Sequence, residues 1–317
     1  MVTENVAAPR RPAGGSPGRL AGALARLGKV KLFEIWLGPI VSWALVIGRD
    51  GLHPTSSVLC LLFCTVIAVG MWATHAFDDL TGYADGSDIR NYAPERRRSQ
   101  VKPLVRGQLT VRAARIFAFT CALIAAGCVV AFCVVADFRP WWIFVGGLAV
   151  VVLGVQYSAG INFSYRFIGG GEAVTGVTLA ASVLLPYVAA TQRIDATIGI
   201  EAVLFGTWLV QVLICSNSAD ARDDREVGRR TVAASTTALG NRIFVATVFG
   251  ATWLLTLLGT VFGALSPWTP LALLPAWALQ AYVLRNGLRG QWRNRRNYGF
   301  QALRLAVLGL VIVNVFG

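Results

Sequence analysis

The sequence predicts an all-α polytopic membrane protein with about nine transmembrane helices. Of its 317 residues, 55% are hydrophobic and only 14% are charged, and the mean hydropathy is +0.59. So few charged side chains cannot cover the surface of a soluble globule of this length. The apolar runs are continuous and lack strict alternation, which argues against a β-barrel. Most of them reach the ~20 residues that cross the hydrocarbon as a helix.

Nine apolar segments give this count. They lie near residues 32–48, 56–77, 114–136, 140–157, 173–191, 199–217, 242–265, 269–284 and 302–316. The first, eighth and ninth are the shortest, so the sequence defines their ends least well.

The basic residues predict how these segments are oriented. If the N-terminus is cytoplasmic, 26 of the 29 lysines and arginines fall on the cytoplasmic side, and only Arg49, Arg139 and Arg193 fall outside. This asymmetry follows the positive-inside rule and favours an odd number of spans. We therefore expect a multi-pass protein of the cell membrane, in contact with lipid, with its N-terminus and acidic loops in the cytoplasm. The net charge of +13 is then topological and does not indicate nucleic-acid binding.

The chain divides into a tail and one membrane domain. Residues 1–28 are rich in Ala, Gly, Pro and Arg, which predicts a disordered basic cytoplasmic tail. Residues 29–317 form the transmembrane domain, and no segment indicates an obligate protein partner. The six cysteines all lie in apolar runs, without a CxxC pair, and are expected to be buried small side chains.

Two acidic clusters stand at the ends of apolar runs. The chain has only 16 Asp and Glu, yet eight of them fall in two short stretches: Asp78, Asp79, Asp85, Asp88, Asp220, Asp223, Asp224 and Glu226. Carboxylates at this density repel one another unless cations lie among them. Because basic residues follow both clusters, the pattern indicates a divalent metal and a phosphorylated ligand.

The second cluster has helical spacing. Asp220 and Asp224 are four residues apart and Asn217 is three before Asp220, so a helix would place all three on one face. Mg²⁺ prefers oxygen ligands and usually combines one or two carboxylates with phosphate oxygens. The alternative is a solvated helix end whose acids pair with neighbouring arginines.

The first cluster requires a turn. Asp79 and Asp85 are six residues apart, and Gly82 and Gly86 let the backbone leave the helix and return toward the same point. Asp78 and Asp88 remain as further candidate ligands.

Basic residues follow the first cluster. Lys102 and Arg106, spaced by four before a glycine, suit diphosphate oxygens. Arg96, Arg97 and Arg98 are better explained by membrane topology.

These motifs resemble those of the UbiA superfamily of intramembrane prenyltransferases. The matching stretches are His75-Ala76-Phe77-Asp78-Asp79 with Asp85, Lys102-Pro103-Leu104-Val105-Arg106-Gly107, Tyr157-Ser158, Tyr165 to Glu172, and Asn217, Asp220, Asp224, Arg225, Gly228, Arg229, Arg230 and Thr231. The last stretch is the most specific. Two departures stand out, since His75 occupies a position where the family usually has Asn and Ala76 one where it often has Asp.

The resemblance implies a fold and a site. The helices would surround a central cavity that opens laterally to lipid, and Mg²⁺ at the two motifs would grip an isoprenoid diphosphate. The implied metal ligands are Asp79, Asp85, Asn217, Asp220 and Asp224. The implied catalytic residues are His75, Lys102, Arg106, Tyr157, Tyr165 and Arg166. For His75 we expect a hydrogen bond to the diphosphate or to a metal-bound group, with simple helix packing as the alternative.

Three functions are compatible with these residues. In the first, a small, electron-rich, aromatic acceptor captures the allylic carbocation made from a prenyl diphosphate. In the second, the prenyl chain captures its own cation, which would make the protein a membrane-embedded terpene cyclase. In the third, the acids form an ion path, which requires acids inside the spans; only Glu34, Glu172 and Glu201 approach such positions. Glu34 could contact an acceptor or form an interfacial ion pair.

Overall fold

The computed structural model describes residues 17–91, 102–293 and 295–317. In these ranges all regular secondary structure is helical, which confirms the predicted class. Arg96, Arg97 and Arg98, which we assigned to topology, lie outside the described residues.

The α-helices of the described chain are numbered in order. They are α1 (Pro17–Leu27), α2 (Gly38–Asp50), α3 (Pro54–Ala84), α4 (Ser87–Asn91), α5 (Val111–Val135), α6 (Trp142–Gln156), α7 (Phe163–Arg166), α8 (Gly170–Thr191), α9 (Ala196–Glu226), α10 (Val232–Ser235), α11 (Ala238–Val261), α12 (Thr269–Leu288) and α13 (Arg295–Phe316). A 3₁₀ segment, Phe33–Leu37, precedes α2.

Each predicted apolar segment overlaps one of the longer helices. Among the described residues, six helices are long and apolar enough to cross a membrane: α3, α5, α8, α9, α11 and α13. Helices α2 and α6, of 13 and 15 residues, are too short by this measure. Helix α12 has 20 residues with Pro275 inside it. The structure therefore supports several spans, and the count of nine stays a prediction.

Helices α3 and α9 carry the two acidic motifs at their C-terminal ends. Both have 31 residues, so each is about 46 Å long and exceeds the ~30 Å hydrocarbon layer. Pro54 occupies the first turn of α3, where its missing N–H costs no hydrogen bond. The Asp195 side chain caps α9 by accepting from the Ile198 backbone N–H at 3.1 Å. The extra length extends the acidic ends beyond the apolar middle of each helix.

Close helix contacts bring the two motifs to one side of the bundle. The principal pairs are α3 with α5, α8 with α9, and α12 with α13. At the α8–α9 contact, a Cβ on Gly206 would lie 2.4 Å from the Gly176 carbonyl oxygen, so only glycine permits this approach. On the other side of α3, the Phe63 and Phe132 rings pack with centroids 5.0 Å apart.

The opposite end of the bundle gathers the three basic residues expected on the other side of the membrane. Arg49 pairs with Asp195 at 2.5 Å, and Arg193 pairs with Asp50 at 2.9 Å. The Arg139 carbonyl accepts from Gln192 Nε2 at 2.6 Å. The acidic motifs and these three residues therefore lie at opposite ends of the helices.

Part of the predicted disordered tail is helical. Pro17–Leu27 forms α1, in which Ala23 and Leu27 are buried against the bundle. Composition alone suggested disorder, but leucines and alanines at helical spacing give this segment an apolar face. Residues 1–16 lie outside the described residues. All six cysteines are free thiols, and four of them are buried, in agreement with their predicted role.

Candidate active site

A cavity of about 220 Å³ lies between the acidic ends of the helices. Much of its wall is apolar: Leu32, Ile35, Met71, Val174, Leu179, Leu209, Val212, Leu213 and Phe300. The rest is polar or charged and includes Lys29, His75, Asp78, Asp88, Lys102, Tyr157, Tyr165, Asn217, Asp220, Asp224, Arg229 and Arg296. A ligand with a charged head and an apolar tail matches this division.

The second motif faces the cavity as its spacing predicted. Asn217, Asp220 and Asp224 all line the wall from the last turns of α9. Asn217 Nδ2 donates to Glu172 Oε1 at 2.8 Å, and the same oxygen accepts from the Val232 backbone N–H at 3.1 Å. Because a carboxylate only accepts, the nitrogen of the amide must face Glu172. The Asn217 carbonyl oxygen is therefore left as the atom that can bind a cation.

The first motif differs from the prediction in which acids line the cavity. Asp78 and Asp88 form part of the wall. Asp79 is buried and accepts from Lys102 Nζ at 2.6 Å. Asp78 and Asp79 are adjacent on α3 and point about 100° apart around the helix, so that Asp78 faces the cavity while Asp79 is turned to Lys102.

Asp85, a predicted metal ligand, does not line the cavity either. Its side chain is exposed and its Oδ1 accepts from the Ser87 backbone N–H at 2.8 Å, at the start of α4. Gly86 has φ of +79°, which provides the turn that we assigned to glycine. This turn carries the chain past Asp85 and returns Asp88 to the wall.

Lys102 neutralises the acids around it. Its Nζ lies 2.6 Å from Asp79 Oδ1 and 3.0 Å from Asp88 Oδ2. Burial raises the pKa of Asp88 to about 6, although Lys102 acts in the opposite direction. A cation bound near Asp88 would favour its charged form in the same way.

Lys29 reaches the same acids from the N-terminal side. Its Nζ is 3.8 Å from Asp78 Oδ2 and 3.9 Å from Asp79 Oδ1. Burial lowers the pKa of this lysine, and the nearby carboxylates partly offset that effect. The positive-inside rule accounts for Lys29 only as a topological charge. Its position just before an apolar segment does not distinguish the two roles.

His75 lies in the wall with one nitrogen turned to Lys29. Its Nδ1 is 3.5 Å from Lys29 Nζ, and its buried Nε2 has no hydrogen-bond partner among the described residues. When Lys29 carries its charge it only donates, and in that state Nδ1 accepts and the ring proton is on Nε2. That assignment makes Nε2 a donor and excludes it as a metal ligand in this arrangement.

Arg229 links the two motifs. Its Nη2 lies 2.5 Å from Asp78 Oδ1, and its guanidinium carbon lies 5.6 Å from the Tyr165 ring centre and 6.0 Å from that of Tyr157. Burial alone would lower the pKa of Arg229, but Asp78 outweighs this and raises it above its ordinary value. The guanidinium therefore stays charged.

Tyr157 and Tyr165 both line the cavity, as predicted. Burial raises the pKa of Tyr165 to about 12 and also raises that of Tyr157. Both phenols therefore keep their protons near neutral pH. Their ring faces already hold one cation, the guanidinium described above.

Two predicted phosphate-binding residues point away. Arg106 is exposed in the turn that follows Lys102, where its backbone N–H donates to the Lys102 carbonyl at 3.0 Å. Arg166 is exposed at the end of α7, with its guanidinium carbon 6.0 Å from the Phe167 ring centre. The four-residue spacing of Lys102 and Arg106 assumed a shared helix face, but a tight turn separates their directions.

Glu34 forms an ion pair. Its carboxylate accepts from Arg304 on α13, and Arg304 Nε lies 3.0 Å from Glu34 Oε1. Glu34 is buried at the 3₁₀ segment, and its Oε2 has no partner among the described residues. This agrees with the ion-pair alternative.

The acids fit a metal ion that takes some of its ligands from the protein and the rest from phosphate oxygens. Within the described residues, no three His, Cys, Asp or Glu side chains converge on one point. Asn217, Asp220 and Asp224 offer one set of hard oxygen atoms, and Asp78 and Asp88 offer another. A divalent ion that takes only one or two carboxylates and completes its shell with phosphate needs no denser cluster.

A family comparison identifies this arrangement. The family model described as the UbiA prenyltransferase family matches residues 37–308, most of the chain. The chain belongs to the UbiA prenyltransferase family. It is therefore a multi-pass membrane protein, in agreement with its apolar helices. A search of curated proteins finds no match to the chain.

Solved UbiA homologues share the fold at low sequence identity. The apo structure of a homologue from Aeropyrum pernix K1 has a TM-score of 0.67 and 14% identity, over 89% of this chain and 98% of that one. A homologue from Archaeoglobus fulgidus bound to DMAPP and Mg²⁺ has a TM-score of 0.61 and 14% identity, over 89% and 99%. A structure of digeranylgeranylglyceryl phosphate synthase has a TM-score of 0.63 and 13% identity, over 93% and 99%.

Proposed function

We propose that this UbiA protein transfers a prenyl group from an isoprenoid diphosphate to a small, electron-rich, aromatic acceptor, with Mg²⁺ as cofactor. The observation that carries the proposal is the common cavity of the two acidic motifs, with Asp78 and Asp88 on one wall and Asn217, Asp220 and Asp224 on another. Family membership supports prenyl transfer. The A. fulgidus homologues bound to DMAPP or GPP together with Mg²⁺ support the donor and the metal.

The metal ligands follow from the cavity wall. Asn217, Asp220 and Asp224 would hold one ion, and Asp78 and Asp88 would contribute to a second. For the first motif this assignment replaces Asp79 and Asp85, which do not line the cavity. When bound, Mg²⁺ neutralises negative charge on the diphosphate and so makes it a better leaving group.

Basic residues would position the diphosphate. Lys29, Lys102 and Arg229 bring three positive charges to the polar wall, each already close to an acid of the first motif. Diphosphate oxygens can share these donors with the acids. His75 Nε2 faces the same space as an unused donor and would add a hydrogen bond to the departing group.

Ionisation of the donor would follow. The bond between the prenyl C1 and the bridging oxygen breaks, and its electron pair leaves with the diphosphate. Tyr157 and Tyr165 present ring faces that attract an allylic cation, just as they attract the Arg229 guanidinium. The aromatic acceptor then forms a carbon–carbon bond to C1, and its ring proton passes to the released diphosphate. The apolar wall around Leu179 and Leu209 would exclude water from the cation.

The charge asymmetry of the loops supports a cytoplasmic position for the site. The ends of α3 and α9 share one side with 26 of the 29 basic residues, so we place the acidic motifs and the N-terminus in the cytoplasm.

A product assay tests the proposal. Purified protein with Mg²⁺ would be incubated with prenyl diphosphates of several lengths, with and without a panel of hydroxylated aromatic acids, and the products identified by mass spectrometry. We expect diphosphate release that depends on an acceptor, together with a prenylated acceptor. A cyclised hydrocarbon or alcohol formed without acceptor would favour the terpene cyclase, and the absence of turnover with every donor would contradict both.

A further inference from the structure

The last part of the chain has an unusual charge composition. After Glu226 there is no Asp or Glu, although these 91 residues contain nine arginines. Among the described residues, two of the nine are matched by acids from elsewhere, Arg229 by Asp78 and Arg304 by Glu34. The other arginines can pair only with anions from outside this part of the chain; otherwise they are solvated.

A second depression lies between α11 and α12. This groove has a volume of about 400 Å³ and is lined by Trp253, Ala281, Leu284, Arg285, Leu288 and Arg289. It shares no residue with the cavity that holds the acidic motifs. Four of the six side chains are apolar, and the two charged ones have the same sign.

The groove presents an apolar row and a basic row of side chains along α12. Its α12 residues recur at three- and four-residue intervals, so they lie on one face of the helix. From Ala281 to Arg289 the rise is about 12 Å, and the basic row of Arg285 and Arg289 runs beside the apolar row of Ala281, Leu284 and Leu288. Across the groove, Trp253 of α11 is held in place because its indole N–H donates to Gln280 Oε1 at 2.7 Å.

The two arginines of the groove are exposed and pair with no acid of the described chain. None of the ion pairs formed by the described residues includes Arg285 or Arg289. The nearby Arg295 differs, because its guanidinium group packs against two aromatic rings. Its guanidinium carbon lies 5.1 Å from the Tyr282 ring centre and 5.8 Å from that of Tyr298. Arg285 and Arg289 make no such ring contact in the described chain, so their charges are open to solvent and to an external anion.

We propose that this groove binds one anionic phospholipid of the membrane leaflet at the basic face. The lipid phosphate would bind Arg285 and Arg289, and an acyl chain would lie along Leu284, Leu288 and Trp253. Charge and polarity both support this occupant, because the groove places two basic side chains beside an apolar strip formed by Leu284, Leu288 and Trp253. Basic pockets between transmembrane helices on the cytoplasmic side are suited to anionic head groups. The site is independent of the proposed reaction.

Lipid binding to the full-length protein in detergent tests the site. Native mass spectrometry would count bound phosphatidylglycerol and bound phosphatidylcholine of identical acyl chains, and thermal unfolding would be recorded with each lipid and with inorganic phosphate. We expect one phosphatidylglycerol to bind and to raise the unfolding temperature, whereas phosphatidylcholine and inorganic phosphate leave it unchanged. In the double variant Arg285→Gln/Arg289→Gln the affinity should fall roughly thirtyfold, since each surface arginine contributes roughly fivefold.

Two further variants separate the site from general effects of charge. Arg112→Gln/Arg115→Gln removes two exposed arginines at the start of α5, away from the groove, and should keep full affinity. Ala281→Trp fills the groove at an exposed position and should weaken binding without removing charge. Equal binding of the two lipids, a full effect of inorganic phosphate, or unchanged affinity in the Arg285/Arg289 double variant or in Ala281→Trp would each overturn the proposal.

Discussion

Arg229 Nη2 lies 2.5 Å from Asp78 Oδ1, and this contact joins two motifs that are 151 residues apart in the chain. Asp78 belongs to the end of α3, and Arg229 follows the end of α9. The same guanidinium rests against the rings of Tyr157 and Tyr165. One side chain therefore connects the acidic wall of the first motif with the aromatic wall of the cavity.

Replacing Arg229 should disable the site while the bundle still folds. We expect Arg229→Gln to lower the rate of prenyl transfer about a hundredfold, because Asp78 loses a buried partner and the diphosphate loses a cation. Arg229→Lys should recover only part of this rate, since an ammonium cannot contact Asp78 and two rings together. Single-turnover rates would measure the loss. Arg230→Gln, which alters the exposed neighbour, should retain the parental rate.

The second motif should be indispensable for metal-dependent turnover. Asp220→Ala and Asp224→Ala each remove an oxygen ligand from the cavity wall, so we expect activity to fall below detection while the protein still inserts and purifies. Activity assays over a range of Mg²⁺ concentrations provide the measurement. Glu226→Ala, which changes an exposed acid on the same helix, serves as the control. Near-parental turnover in either aspartate variant would contradict the assigned metal ligands.

Glu172 should act through Asn217. Without its carboxylate the Asn217 amide can rotate, so we expect Glu172→Ala to raise the Mg²⁺ concentration needed for half-maximal rate about tenfold to a hundredfold. Glu172→Gln keeps one acceptor and should lie between this variant and the parent. Glu201→Ala is a matched control, because Glu201 also accepts from an asparagine, Asn314, at 3.0 Å, but lies near the opposite end of α9. Its Mg²⁺ dependence should not change.

His75 variants distinguish a hydrogen-bond donor from a packing residue. If Nε2–H contacts the departing diphosphate, His75→Asn should keep substantial activity and His75→Ala should lose roughly tenfold to a hundredfold, which corresponds to about 1.5–3 kcal/mol for a bond to a charged group. If His75 instead accepts a proton from a carbocation, Asn cannot replace it and the products should change. Product profiles and rates together decide the case. Parental rates in both variants would leave only packing.

Cysteine labelling tests the orientation. Arg222 on the acidic end of α9 and Phe262 at the far end of α11 are both exposed. With intact cells and an impermeant thiol reagent, Phe262→Cys should react and Arg222→Cys should react only after permeabilisation. The parent protein, whose six cysteines lie in apolar helices, gives the background. The reverse pattern would place the acidic motifs outside the cell.

The features that the sequence predicted well depend on regular periodicity. The helical class follows from continuous apolar runs. The common face of Asn217, Asp220 and Asp224 follows from three- and four-residue spacing, because α9 stays helical through all three. Tyr157 and Tyr165 were assigned by family motif, and both reach the cavity.

The predicted site residues that do not line the cavity lie in turns, where the spacing of residues along the chain does not predict where their side chains point. Asp85 and Arg106 each lie within a turn with a glycine of positive φ immediately after them, Gly86 and Gly107. Such a turn redirects the side chains on either side of it, so residue separation along the chain does not predict where they point. Asp88 reaches the cavity for the same reason.

The sequence also could not predict which side chains distant in the chain contact one another. Lys29 contacts Asp78, which is 49 residues away in the chain. Glu172 contacts Asn217, which is 45 residues away. Without the packed helices, a buried lysine beside an acidic motif cannot be told from a topological charge. Glu172 belongs to the stretch Tyr165 to Glu172 that resembles the family motif. Its contact with Asn217 forms only because α8 packs against α9, which the sequence does not show.

The length of α3 and α9 makes the chemistry dependent on the bilayer itself. Each helix is about 46 Å long, so its apolar part is matched to lipid tails while its acidic end requires contact with water and ions. A thicker bilayer would draw the carboxylates toward the hydrocarbon and disfavour the hydrated metal, and a thinner one would expose the apolar wall. Hydrophobic mismatch would thus couple the lipid composition of the host membrane to the hydration of the acidic motifs.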